Sequence, residues 1–146
     1  MATVKQLLQK KGTEVFSVPL KSTVYQALAL MAEKGCGATL VMDDTQIVGI
    51  FSERDFSRKV LNENCALDMP IERFMTQEVY AVTPESSIDE CMSLMTQKKF
   101  RHLPVVDKGV VVGVISIGDI VKDVIENKEV MIHSLENYIV GHDFNQ

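Results

Sequence analysis

The stretch Gly49-Ile50-Phe51-Ser52-Glu53-Arg54-Asp55 returns, 64 residues later, as Gly113-Val114-Ile115-Ser116-Ile117-Gly118-Asp119. Sliding the whole chain by that interval lays residues 15–56 on residues 79–120 without a gap. Identical pairs include Val15/Val79, Val18/Val82, Ser22/Ser86, Met31/Met95, Val41/Val105, Asp43/Asp107, Gly49/Gly113, Ser52/Ser116 and Asp55/Asp119. Apolar character is kept where identity is not, as at Val24/Ile88, Ile47/Val111 and Ile50/Val114. Agreement over 42 aligned positions is an internal duplication, and it sets the unit in which the rest of the sequence is read.

Each copy carries the same order of local signals. A short β-rich run opens it, residues 15–18 or 79–82, closed by Pro19 or by Thr83-Pro84. Ser22-Thr23 and Ser86-Ser87 then offer side-chain oxygens to the free amides of a helix start. Behind those caps Val24, Ala27, Leu28 and Met31, and likewise Ile88, Cys91, Met92 and Met95, recur at helical spacing and mark one buried face. Strands are expected over 38–42 and 47–51, matched by 102–106 and 110–115. Their connections, Asp43-Asp44-Thr45-Gln46 and Asp107-Lys108-Gly109, are made of residues that hairpin turns favour. A second helix begins directly after Ser52 and after Ser116.

Each copy is thus a β-α-β-β-α unit of about 60 residues, too small to be stable by burying its own apolar surface. The expected fold is α/β (α+β), with two such repeats packed sheet to sheet about a pseudo-twofold axis and an extended C-terminal helix. Residues 1–66 are read as the first repeat with an N-terminal helix, 67–126 as the second repeat, and 127–146 as a helical extension. Residues 62–75 connect the repeats, with a short helix starting at Met69-Pro70; residues 4–8 resemble that helix and play its part before the first copy. The last helix, residues 117–139, outruns its counterpart. Ile117, Ile120, Val121, Val124, Ile125, Ile132, Leu135 and Ile139 form an apolar stripe along it, while Glu126, Lys128 and Glu136 face elsewhere. A helix of that length extends about 30 Å, more than one small domain covers. Part of the stripe is therefore expected to meet a second copy of the chain in a homodimer.

Composition narrows the partners. The chain has 15 Lys and Arg against 20 Asp and Glu, a net charge of -5, which argues against a nucleic-acid partner. Its basic clusters are short: Lys10-Lys11, and Lys98-Lys99 with Arg101. No run of about 18 apolar residues is present to span a membrane. The first residues lack the basic head and apolar stretch of a secretory signal, so the chain is read as cytoplasmic, with no membrane partner. Cys36, Cys65 and Cys91 lack metal-ligand spacing and are read as reduced, structural thiols, with a redox role open for Cys36 between Gly35 and Gly37. His102, His133 and His142 show no zinc-ligand spacing. No Ser/His/Asp nucleophile pattern, phosphate loop or dinucleotide glycine pattern occurs; the chain is read as a non-enzyme without a catalytic cofactor.

The repeated Gly-x-x-Ser-x-x-Asp lies where a strand hands over to a helix, and two readings of it stand side by side. Ser followed three residues later by an acid makes a capping box, in which the hydroxyl accepts a backbone N–H and the acid reaches back. A helix N-terminus is also an anion site, and an Asp beside it suits a ribose, whose two hydroxyls donate to one carboxylate.

From about residue 4 to 124 the chain resembles a tandem CBS-domain pair, named after cystathionine β-synthase, of the small stand-alone bacterial type. The likeness rests on the duplicated β-α-β-β-α pattern, the two Gly-x-x-Ser-x-x-Asp motifs and Arg101-His102-Leu103-Pro104-Val105. It implies a regulatory ligand containing adenine (AMP, ATP, NAD(H) or, in some members, S-adenosylmethionine) bound in clefts between the repeats. By the same resemblance Asp55 and Asp119 hold ribose hydroxyls, and Ser52 and Ser116 line the phosphate side with the helix amides. Phe16-Ser17 and Tyr80-Ala81 border the adenine. Similar pairs form flat homodimers, and an unidentified effector protein would receive the signal. The alternative is an interaction and dimerisation module whose motifs serve only as caps.

The copies differ where a phosphate would be held. The second has Arg101-His102 ahead of Leu103-Pro104, where the first has Gly37-Ala38 ahead of Thr39-Leu40. Arginine supplies a fixed fork of donors, and histidine adds a charge near neutral pH. Thr83 offers a hydroxyl where the first copy has Pro19, and Arg54 has no counterpart at Gly118. On these grounds the second-repeat cleft, with Asp119, is expected to be the stronger nucleotide site.

Overall fold

The computed structural model describes residues 2–62 and 66–144 and, after residue 129, only the side chains of 132, 133, 135 and 136; Cys65 and the side chain of Ile139 lie outside the described residues. The first repeat contains β1 (Ser17–Pro19), α2 (Val24–Lys34), β2 (Ala38–Asp43), β3 (Gln46–Ser52) and α3 (Glu53–Asn62), preceded by α1 (Val4–Lys11). A one-turn 3-10 helix, Ile71–Arg73, precedes α4 (Ile88–Lys98), β4 (His102–Asp107), β5 (Val110–Ser116) and α5 (Ile117–Phe144).

The helix starts follow from their caps. Thr3, Thr23 and Ser87 each accept a hydrogen bond from the third helical amide, while Gln6, Gln26 and Glu90 reach back to the capping residue. Each such cap is worth about 1 kcal/mol. The helix ends differ. α2 stops on Gly35 in the left-handed region at φ 65°, whereas α4 stops on Lys99 at φ 60°, the aligned position of the second repeat.

Both hairpins are antiparallel, and both slip register at the same aligned place, Val41/Met42 and Val105/Val106. In the first repeat β1 pairs parallel to β2, giving the order β1-β2-β3. The second repeat departs from expectation. Residues 79–82 form no strand, and only Val82 bridges Val105 beside the two-stranded β4-β5 sheet. The cause is one residue. In the first repeat the Leu40 amide donates to the Phe16 carbonyl at 3.1 Å and extends the ladder. Its counterpart is Pro104, which has no N–H to give. What remains is the Val82 amide donating to the Pro104 carbonyl at 3.0 Å and the Val106 amide donating to the Val82 carbonyl at 2.8 Å.

Two core clusters result, one per repeat, and each is completed by the segment that leads into the other repeat. Val4, Leu7 and Leu8 of α1 pack among Ile88, Cys91, Met95, Leu103, Ile115 and Ile120 of the second repeat. Ile71, Phe74 and Met75, with the same spacing, pack among Val18, Val24, Met31, Val41 and Phe51 of the first. Backbone bonds fix both crossings: Val4 N to Ser86 O at 2.9 Å on one side, Ile71 N to Ser22 O at 2.8 Å on the other. The motif glycines make room for them. A Cβ on Gly49 would lie 2.5 Å from Met75 Sδ and 3.1 Å from the Thr76 carbonyl, and one on Gly113 2.7 Å from Leu8 Cδ2.

α5 divides the expected apolar stripe in two. Ile120 is buried and Val124 packs against the second core, while Ile117, Val121, Ile125, Ile132 and Leu135 stand about half exposed on another side. At 28 residues the helix runs about 42 Å. No helix among the described residues is long and apolar enough to cross a membrane.

Candidate functional site: two clefts between the repeats

At the end of β3 the Asp55 amide donates to Ser52 Oγ at 3.2 Å, and Asp55 Oδ2 accepts the Ser52 amide at 3.0 Å. At the end of β5 the same pair forms, Asp119 N to Ser116 Oγ at 3.1 Å and Ser116 N to Asp119 Oδ2 at 2.8 Å. The capping reading of the motif is therefore realised in both copies. The first helical amides are also taken: Glu53 N donates to Gly37 O at 3.0 Å and Ile117 N to Arg101 O at 2.8 Å. Two of the first three amides of each helix are thus engaged, and the formal positive charge at this junction comes from side chains.

Those side chains gather in one place. A cleft of about 430 Å³ is lined on one side by Ser52, Arg54, Asp55, Arg58 and Thr76, and on the other by Lys98, Lys99, Phe100, Arg101 and His102. Asp55 Oδ1 accepts the Thr76 hydroxyl at 2.9 Å, and Thr76 is pinned by reciprocal backbone bonds with Ile50 at 2.9 and 2.8 Å. Arg54 Nη1 reaches the Lys99 carbonyl at 3.4 Å and so spans the cleft. Desolvation, together with the guanidinium groups of Arg101 and Arg58, pushes Arg54 below the usual arginine value against the pull of Asp55. Among the described residues no ion pair engages Arg54 or Arg101.

The second cleft, about 300 Å³, sets Lys11, Glu14, Ser116 and Asp119 against Phe16, Cys36, Ala38, Thr39 and Leu40 of the first repeat. Here the acid is engaged by a cation. Lys11 Nζ lies 2.6 Å from Asp119 Oδ2 and 2.6 Å from the Val114 carbonyl. Burial works against the Asp119 charge, but the Lys11 hydrogen bond and the Ser116 amide outweigh it and hold the carboxyl below its usual value. Gly37, Ile50 and His102 line both clefts, forming a common wall. Burial lowers the His102 pKa, with Asp119 and Glu53 pulling up and Lys11 and Arg101 pushing down.

This arrangement removes the ground for ranking the Asp119 cleft first. Arg101 belongs to the second repeat by sequence, yet it lines the cleft that holds Asp55, because each cleft takes its acid from one repeat and its opposite wall from the other. Of the other expected residues, Ser52, Arg54, Asp55 and His102 line the Asp55 cleft, and Phe16, Ser116, Asp119 and again His102 the Asp119 cleft. Tyr80 stands behind the first cleft, its ring 5.5 Å from that of Phe100 and its hydroxyl donating to Glu78 at 2.7 Å. Ser17 and Ala81 are exposed outside both walls, Thr83 bonds Ser86 in the turn before α4, and Pro104 is buried in its strand. Sequence reasoning missed Arg58, Thr76 and Phe100, and it noted Lys98-Lys99 and Lys10-Lys11 only as short basic clusters, too small for a nucleic-acid surface. Their clustering near Arg101 and ahead of the first repeat was the available signal.

A duplicated α+β unit with paired clefts at the junction of its copies defines a class of tandem-repeat regulatory modules. The family model for the CBS domain matches residues 4–62 and 71–126, and the chain belongs to the CBS-domain family. Among its relatives is the mitochondrial CBS domain-containing protein CBSX3 of Arabidopsis thaliana, 32% identical over 95% of this chain and 72% of its own length. A CBS-domain protein of known structure from Burkholderia ambifaria MC40-6 is 46% identical, with a TM-score of 0.82 over 86% of this chain and 95% of its own. The CBS domain protein PAE2072 of Pyrobaculum aerophilum, solved in complex with AMP, shares the fold at 24% identity and TM-score 0.72, over 81% and 89% of the two chains.

Proposed function

We propose that this chain is a regulatory sensor that binds an adenine nucleotide between its repeats and passes the change in packing to an effector protein. The observation that carries this is the Asp55 cleft. It joins a carboxylate suited to a ribose diol with Arg54 and Arg58 on one side and Lys98, Lys99 and Arg101 on the other. Cations crowded on both walls repel one another, and a phosphate between them relieves that repulsion. Phe100, backed by Tyr80, adds an aromatic face for a base. AMP, ATP and NAD(H) all present the required ribose and phosphate, and AMP is the ligand held by PAE2072 in the same fold. The sensor performs no chemistry of its own; ligand binding shifts an equilibrium through unequal affinity for two states.

The sensor acts as a homodimer joined through the exposed side of α5, where Val121, Ile125, Ile132 and Leu135 recur at intervals of four, seven and three residues. Ile132→Glu should convert the dimer to monomer in sedimentation equilibrium; an unchanged mass rejects this interface.

The deciding experiment is a thermal-shift and calorimetric screen of AMP, ADP, ATP, NAD, NADH and S-adenosylmethionine. Stabilisation of about 2.7 kcal/mol is expected at a hundredfold excess over Kd. Chromatography of the same mixtures should find each nucleotide intact. The competing reading, an interaction module without ligand, draws on the Ser–Asp caps, which explain the motifs by stability alone. Under it none of the six compounds raises the melting temperature.

A further inference from the structure

The two clefts are chemically unlike. The Asp55 cleft sets five cationic side chains, Arg54, Arg58, Lys98, Lys99 and Arg101, against two carboxylates, Glu53 and Asp55. The Asp119 cleft sets one, Lys11, against two, Glu14 and Asp119. It is also the smaller, about 300 against 430 Å³, and Phe16, Ala38, Leu40 and Val114 are apolar wall residues that line it and not the Asp55 cleft. The partners of the two acids differ in the same sense. Thr76 places a neutral hydroxyl on Asp55, which a ribose hydroxyl replaces like for like. Lys11 places an ammonium on Asp119, anchored a second time by the Val114 carbonyl.

Resting on the nucleotide reading above, we infer that the two clefts take different ligand classes: a phosphorylated adenosine beside Asp55, and an uncharged adenosine derivative beside Asp119, where Lys11 is the internal competitor for the ribose. A phosphate entering the Asp119 cleft meets a surplus of negative charge, and its single cation is already committed. An uncharged nucleoside meets no such repulsion and finds an apolar wall for its base. Lys11 occupies Asp119 Oδ2, so a ribose diol that donates to both carboxylate oxygens has to displace it, and the Lys11 side chain, about a third exposed, has solvent to move into. The pair is partly screened, so Lys11 weakens ribose binding about three- to tenfold rather than abolishing it.

The test uses the full chain with AMP and adenosine as probes, titrated by calorimetry into the wild type, Asp55→Ala, Asp119→Ala, Lys11→Met and Lys11→Arg. Expected are a loss of AMP affinity of at least tenfold in Asp55→Ala only, and of adenosine affinity in Asp119→Ala only. Lys11→Met should strengthen adenosine about three- to tenfold and leave AMP unchanged, while Lys11→Arg, which keeps the charge, should match the wild type. Equilibrium dialysis with both probes should find both bound at once. Weaker adenosine binding in Lys11→Met, or complete displacement of adenosine by AMP, overturns the division while leaving the sensor reading intact. Failure of both probes to bind the wild type overturns the division, and the sensor reading falls with it only when ADP, ATP, NAD, NADH and S-adenosylmethionine fail as well. Urea midpoints of each variant separate lost binding from lost folding.

Discussion

Lys99 ends α4 at φ 60°, where the first repeat has Gly35, and its side chain lines the Asp55 cleft. Left-handed placement costs a residue with a Cβ about 1–2 kcal/mol. Glycine removes that cost but gives the unfolded chain more freedom, which returns about 0.4–1 kcal/mol. Lys99→Gly should therefore stabilise the protein by about 0.5–1 kcal/mol, raising the urea midpoint by about 0.3–0.5 M for an m-value near 2 kcal/mol/M. The same change removes one exposed cation from the cleft and should weaken AMP about three- to fivefold. Lys99→Ala separates the two effects, since it loses the charge but keeps the strained backbone. It should bind AMP as poorly as Lys99→Gly without the gain in stability. Equal stabilisation by alanine, or a less stable Lys99→Gly, refutes the idea that a backbone penalty is tolerated there to hold a charge. Unchanged AMP affinity in both variants removes Lys99 from the site.

Gly49→Ala should destabilise by about 2–3 kcal/mol and Gly113→Ala by about 1 kcal/mol, measured by urea unfolding, because the first added methyl meets the Thr76 backbone and the second only the end of Leu8; the reverse order contradicts the crossing geometry. Burial, with Glu90 adding to it, pushes the Cys91 thiol up to about 11, so at pH 8 Cys91 should resist a disulfide reagent until the protein unfolds, and labelling at native-state rates equal to Cys36 would contradict its place in the core. The His102 pKa is lowered on folding, so the unfolded chain binds the proton more tightly. Its contribution to stability is whole above the ordinary histidine value, about 6.5, and is lost as pH falls below that value. Wild-type urea midpoints should drop between pH 7.5 and 5.5, and His102→Gln should flatten the drop; an equal drop in the variant assigns it elsewhere.

The duplication made most of the fold legible, since every strand of the two hairpins and every capped helix lies within a residue or two of its sequence signal. The lost opening strand of the second repeat was legible too, at the alignment of Pro104 with Leu40, but it required weighing a missing amide rather than a β-rich composition. The wall to which Arg101 contributes was not. Alignment tells which residues are equivalent, not which repeat they face, and that depends on how two units far apart in sequence dock on each other. The motif glycines misled in another way. They stand beside the ribose-suited acids, yet their small size serves the crossing segments Leu8 and Met75.

Those crossings have an ancestral implication. Each repeat lends its leading segment to the other and borrows a lid in return, so one repeat with its own leader holds every part needed to close an identical neighbour, and none that closes itself. A gene for residues 67–126 alone would yield a protein complete only as a twofold pair. In the joined chain that reciprocity is frozen into a single polypeptide, and the two clefts, no longer bound by symmetry, were free to diverge in charge.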